Sequence, residues 1–84
     1  MNKEFLNECF DVIEQIKLGS IIEITSKYEK SKYRLDYIEE YEEFELTDLN
    51  KSNTIWNDGD TIEQIKEDLM FSAIKNHFQK IRLI

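Results

Sequence analysis

The 84-residue chain contains no proline, two glycines, one cysteine and one histidine. Without proline there is no rigid Pro-rich linker and no X-Pro isomer to slow folding. A single cysteine cannot close an internal disulfide. One histidine and one cysteine do not make a His/Cys metal set, and no Ser-His-Asp or Cys-His arrangement can be argued from single residues. No stretch approaches the roughly 20 apolar residues of a membrane span. The chain opens on an amphipathic pattern with Glu4, Glu8 and Asp11, not on a basic stretch followed by an apolar one. No secretory signal is therefore expected, and the expected compartment is the cytoplasm.

A further scarcity is local. Residues 36–48 hold seven carboxylates and no Lys or Arg, and the remainder carries eleven acids and eleven bases. The whole net charge of −7 thus arises in one segment, interleaved with Tyr37, Tyr41 and Phe44. A concentrated field of one sign steers and selects an oppositely charged partner. It argues against binding nucleic acid through a broad basic face and against anionic membranes. It favours a basic protein partner, a cation, or plain solubility.

Twelve Ile, five Phe and four Tyr are too many for a disordered chain, and this length makes one small domain over residues 1–84. Phe5, Leu6, Cys9, Phe10, Ile13 and Ile16 recur at helical spacing, which predicts a helix over about 3–18, with Asn2 as its N-cap and Gly19 just past its end. Residues 20–28 are β-branched and predict a strand with Ile22, Ile24 and Tyr28 on one face. Residues 29–31 read as a turn. In 32–37, Tyr33, Leu35 and Tyr37 alternate with Lys32, Arg34 and Asp36, which predicts a second strand. Glutamates on both parities make 39–43 a turn, a bulge or an exposed edge, with a short helix as the competing reading. A third strand is expected at about 42–48, with Phe44 and Leu46 inward and Glu43 and Glu45 outward. Residues 48–53 are loop chemistry, and 54–56 suit a short fourth strand. Asn57-Asp58-Gly59 is a turn signal, and Asp60 with Glu63 fits a helix cap. Apolar residues from Ile62 to Ile81 then predict a long helix over about 61–82.

The sum is an α+β domain of order α-β-β-β-(β)-α, an antiparallel sheet with two helices packed on one face and the other face wet. That order resembles the double-stranded RNA-binding domain, a likeness of element order and not of motif. The resemblance implies a basic cluster opening the last helix to grip phosphates. Here that position reads Asp58, Asp60, Glu63, Glu67 and Asp68, with only Lys66 basic. RNA binding by that route is not expected, because the sign is wrong.

Asn57-Asp58-Gly59-Asp60 also suits a calcium loop at first sight. With Gly59 at loop position six, ligands would fall on Trp56 and Ile65, which cannot serve, so a turn plus helix cap is the better reading. His77 is expected on the apolar face of the last helix, as a packing residue, and Cys9 in the core. An acid/base pair among the carboxylates of 39–48 would need a concave, partly dry site, which a wet edge does not offer. No catalytic residue, metal or cofactor is expected.

The candidate partner-binding residues are Asp36, Glu39, Glu40, Tyr41, Glu42, Glu43, Glu45 and Asp48, with Trp56 beside them. Tyr41, between Glu40 and Glu42, is the best exposed anchor and Trp56 the second. Glutamates two apart on a strand sit about 6.8 Å apart. Such a row can occupy Lys/Arg pockets meant for phosphates, while tyrosines fill base-stacking slots. In size, charge and mixed α/β order the chain is similar to small acidic phage DNA mimics, anti-CRISPR proteins and nuclease immunity proteins. That resemblance implies an inhibitor masking the basic site of a nuclease or defence effector, with no direct nucleic-acid or membrane contact. The alternative is a non-enzymatic structural or regulatory module, homodimeric through the apolar stretch Ile81-Arg-Leu-Ile84. There the acidic strip serves only solubility and blocks unwanted strand pairing.

Overall fold

The computed structural model of the chain describes residues 3–51 and 54–84, the side chains of 54–57 excepted. Seven elements follow in order: α1 (Lys3–Glu14), β1 (Ile21–Thr25), β2 (Lys30–Ile38), β3 (Glu43–Asp48), β4 (Thr54–Gly59), α2 (Ile62–Ile74) and β5 (Lys80–Leu83). The five strands form one antiparallel sheet of order β4-β3-β2-β1-β5. The expected α+β architecture is thus present, with one more strand than the sequence reading provides.

One face of the sheet meets both helices. Cys9 and Ile13 from α1, Ile16 just past its end, and Ile65, Leu69 and Ala73 from α2 close over Ile22, Ile24, Tyr33, Leu35, Leu46, Phe78 and Ile81. The periodicity of the first stripe and the alternation in β2 place these residues there directly. Cys9 is buried, as expected.

The helix ends are set by local chemistry that periodicity misses. Helix α1 stops at Glu14, and the N–H groups of Gln15 and Ile16 donate to the carbonyls of Val12 and Ile13, both at 3.1 Å. Such i−3 bonds tighten and close a last turn. The expected Asn2 cap lies outside the described residues. Gly19 does take a left-handed φ of +87°, but not as a helix cap. Its N–H donates to the Leu35 carbonyl, while the Leu35 N–H donates to the Ser20 carbonyl. Two residues therefore face one, a bulge-like start to β1 that needs a glycine.

The predicted long helix over 61–82 is the main correction. Helix α2 ends at Ile74, with Asn76 left-handed at φ 57°. The His77 N–H donates to the Ser72 carbonyl and the Asn76 N–H to that of Ala73. These two bonds around a left-handed residue are a Schellman stop. Phe78 and Ile81 continue a helical spacing only by coincidence, and their segment becomes β5, the edge strand beside β1. His77 leaves the apolar helix face it was expected on and is exposed. With Ser26, Ser31, Tyr33 and Ser72 it lines a cleft of about 250 Å³. Ile81 is buried and Leu83 packs against the core, so the expected dimer stretch is largely used within the chain.

The start of α2 is shifted by one residue from the expected Asp60–Glu63 cap. Thr61 is the N-cap, accepting from the Gln64 N–H at 3.1 Å, and the Gln64 side chain accepts from the Asp60 N–H. Replacing Thr61 by alanine should cost about 1 kcal/mol of stability, the usual worth of such a cap. Thermal unfolding checks this, and an unchanged midpoint would mean that the Gln64–Asp60 bond holds the helix start alone.

Candidate functional site

The acidic segment is the turn between β2 and β3 together with the first residues of β3. The Tyr41 N–H donates to the Ile38 carbonyl, and the Glu42 N–H to that of Glu39. Glu39, Glu40, Tyr41 and Glu42 are exposed at its tip, and Tyr41 keeps 63% of its surface. The short-helix alternative for this stretch is not adopted. Behind the tip, Tyr37 and Phe44 pair across the strands, with ring centroids 4.9 Å apart and planes at 57°. A tilted aromatic pair of this kind stiffens the base of a turn.

Glu42 has a φ of 53°, left-handed backbone that disfavours a side chain. For a residue with a Cβ this conformation costs roughly 1–2 kcal/mol, which is why glycine or asparagine is usual there.

Topology then adds acids that are distant in sequence. Strand β4 runs back along β3, so that Gly59 lies opposite Phe44 and Asp58 opposite Glu45. Helix α2 starts at Ile62, at the same end of the sheet. Asp58, Asp60 and Glu63, all exposed, therefore join Glu39, Glu40, Glu42 and Glu43 at one end of the molecule. The β1–β2 turn, the β3–β4 loop and the α2–β5 connection lie at the opposite end. These carry Lys27, Lys30, Lys51, Lys75 and Lys80. The two exposed acidic segments thus share one end of the sheet, while Glu29 and Asp48 lie at the other with the lysines, and the sequence shows only the first of those segments as a cluster.

Three of the expected binding residues are not part of an exposed row. Asp48 is 4% exposed and lies at the far end of β3, on the helix side beside Tyr33. Its carboxylate accepts from the N–H groups of Asn50 and Lys51, which is loop-closing work. Asp36 is half-buried on the open face. Arg34 grips it with Nε at 2.7 Å and a second nitrogen at 3.2 Å, and the Thr47 hydroxyl donates to it at 2.8 Å. Burial pushes the Asp36 carboxyl up, but the Arg34 and Thr47 bonds outweigh it and hold the group below its ordinary value.

Glu45 is the larger surprise. It points to the open face, as the alternation predicts, yet it is only 5% exposed. Among the described residues it has no hydrogen-bond or ion-pair partner. Burial first, and then the charges of Glu43, Asp36 and Asp58, push its carboxyl above the ordinary value. The open face is therefore not uniformly wet. Glu23 is also buried there, where Arg82 bonds it at 2.8 Å and holds its carboxyl below the ordinary value.

Trp56 lies in β4, between Ile55 opposite Thr47 and Asn57 opposite Leu46, and so occupies the bulge in that ladder. The expectation that its side chain is an anchor falls outside the described residues. Among the described residues no group of three or more His, Cys, Asp or Glu is placed to hold a metal ion. No helix of the described residues is long and apolar enough to cross a membrane. No family model, no curated protein and no solved structure matches this chain.

Proposed function

We propose that this protein is a small acidic binding protein that docks its acidic end on the basic, nucleic-acid-binding site of another protein and masks it. The observation that carries this reading is the convergence of two separate acidic segments, 39–43 and 58–63, on one end of the sheet around an exposed Tyr41. Solubility alone needs charge spread over the surface, not gathered at one end. The left-handed Glu42 supports the same reading. A glutamate held where glycine costs less is an outlier of the kind found at functional sites. The acidic end offers acceptor oxygens to Lys and Arg as phosphates do, and Tyr41 supplies a stacking surface.

The test uses four glutamines, at Glu39, Glu40, Glu42 and Glu43, and leaves the buried Glu45 alone. Wild type immobilised in nuclease-treated host lysate should capture a basic protein that then loses its nucleic-acid binding. That capture should fail with the four-glutamine variant and release steeply as salt rises. Recovery of nothing but further copies of the chain, at any salt, would overturn the reading in favour of a self-associating module.

A further inference from the structure

At the end of the sheet opposite the glutamate turn, three segments far apart in sequence enclose the cleft of about 250 Å³. The β1–β2 turn brings Ser26 and Glu29, strand β2 brings Ser31 and Tyr33, and the end of α2 with the turn after it brings Ser72 and His77. Ile24 and Phe78 add an apolar side. Ser31 and Tyr33 are buried, at 4% and 6% exposure, and their hydroxyls share a hydrogen bond. That bond offsets the cost of taking two polar groups out of water. The Ser26 hydroxyl is occupied within its own turn, accepting from the Glu29 N–H and donating to the Glu29 carbonyl. These bonds fix Glu29 at the rim. The Ser72 hydroxyl and the His77 ring, by contrast, have no hydrogen-bond partner among the described residues. The Schellman stop at Asn76 is what turns His77 off the helix and into the lining.

Charge decides what such a cleft can take. No Lys or Arg lines it, and Glu29 is its one carboxylate. Lys30 and Lys80, although at the same end, pair with Thr25 and share its parity, which is that of the open face. An anion would therefore meet the repulsion of Glu29 with no lysine or arginine to bind it. A small cation would find only Glu29, which is exposed and already has Lys51 at 3.9 Å. An apolar ligand would leave the hydroxyls unpaired. A neutral ligand rich in hydroxyls suits every group present. Serine and tyrosine hydroxyls both donate and accept, a neutral imidazole does one at each nitrogen, and a carboxylate can accept from two adjacent hydroxyls. The geometry points to a binding site for one neutral polyhydroxyl ring of monosaccharide size, either a free sugar or the ribose of a nucleoside. Ser72, His77 and Glu29 bond its hydroxyls, and Ile24 and Phe78 meet its C–H face. The volume is just below the roughly 300–1,000 Å³ of sites for drug-sized ligands, as one ring requires. The site is remote from the acidic end and does not rest on the masking reading.

The experiment follows the backbone amide resonances of the full chain by NMR during separate additions of glucose, ribose, adenosine and sodium phosphate. Wild type, Ser72→Ala, His77→Ala and the four-glutamine tip variant are compared. At least one of the three hydroxyl-bearing probes should move the signals of residues 26–31 and 72–78 together, at concentrations up to about 50 mM, the range for a few neutral hydrogen bonds. Phosphate should not move them. Ser72→Ala and His77→Ala should each weaken the binding about fivefold, the scale of one neutral hydrogen bond, and the tip variant should bind as wild type does. Adenosine binding more tightly than ribose identifies a nucleoside as the source, and glucose or ribose binding as tightly as adenosine identifies a free sugar. His77 is exposed and alanine suits a helix at 72, so both variants should keep the fold, which their spectra without ligand check. If Ser72→Ala disturbs the fold, His77→Ala decides alone. No shift with any of the three probes, or shifts that the variants leave unchanged, would overturn the site. Phosphate moving these signals where the sugars do not would overturn the neutral ligand in favour of an anion.

Discussion

Leu35→Ala should destabilise the fold by about 3 kcal/mol, the middle of the range for a fully buried leucine. Leu35 is 0% exposed and sits in β2, the central strand of the sheet. It faces Leu46 across one ladder, and its backbone carries both hydrogen bonds of the bulge at Gly19 and Ser20 on the other. Strands flank it on both sides, so the site cannot collapse easily into the space left behind. A domain this size has a total stability of roughly 4–12 kcal/mol, so the loss is a large share of it. Urea unfolding should show a lower midpoint with an unchanged slope, and the melting temperature should fall by about 15 °C. The exposed Tyr28→Ala, at 86% exposure, is the control and should change little. A loss below about 1 kcal/mol for Leu35→Ala would mean that the core relaxes around β2 far more than its packing implies.

Glu45→Gln should act in the opposite direction and stabilise the protein at neutral pH by about 1 kcal/mol, the scale of relieving two cross-strand like-charge contacts. The sign follows from linkage. Burial and the neighbouring acids raise the folded-state value of Glu45, so the fold favours its neutral form. The contribution of Glu45 to stability is full below its ordinary unfolded value and is lost as pH rises through the raised folded value. Glutamine mimics the protonated form at every pH. The gain should therefore appear above that window and vanish below it. Asp36 runs the other way, since its folded value is lowered once the Arg34 and Thr47 bonds overcome its burial. Its stabilisation is present above the ordinary aspartate value and is lost as pH falls. Thermal melts of wild type and Glu45→Gln at acid and neutral pH separate the two effects. A variant that melts below wild type at neutral pH would show that Glu45 has a favourable partner after all.

Much of the frame is readable from residue order. The stripe through Cys9, Ile13 and Ile16 finds its helix, and the alternation of Tyr33 and Leu35 with Lys32 and Arg34 finds its strand and its inward face. Glutamates falling on both parities allow the turn at 39–42 but also a bulge, an exposed edge or a short helix, and do not choose among them. The end of α2 is harder, because its stop is an asparagine and not a glycine. Phe78 and Ile81, three apart, fit a helical spacing, while Ile81 and Leu83 alternate with Lys80 and Arg82 as a strand does. Periodicity cannot separate those cases, and the left-handed turn at Asn76 does. Glu45 is assigned to the correct face, but a face is a parity and burial is a matter of neighbours.

What residue order alone determined is the acidic segment, its aromatic companions and the sheet-with-helices class, since each follows from local pattern and hydrophobic period. What only the tertiary structure decided is which charges meet. Strand β4 running antiparallel to β3 brings Asp58, Asp60 and Glu63 to the glutamate turn and sends Asp48 to the far end. Register places Asp36 and Asp58 on either side of Glu45. Coulomb interactions depend on distance in space and on the water left between charges, and neither quantity is carried by separation along the chain.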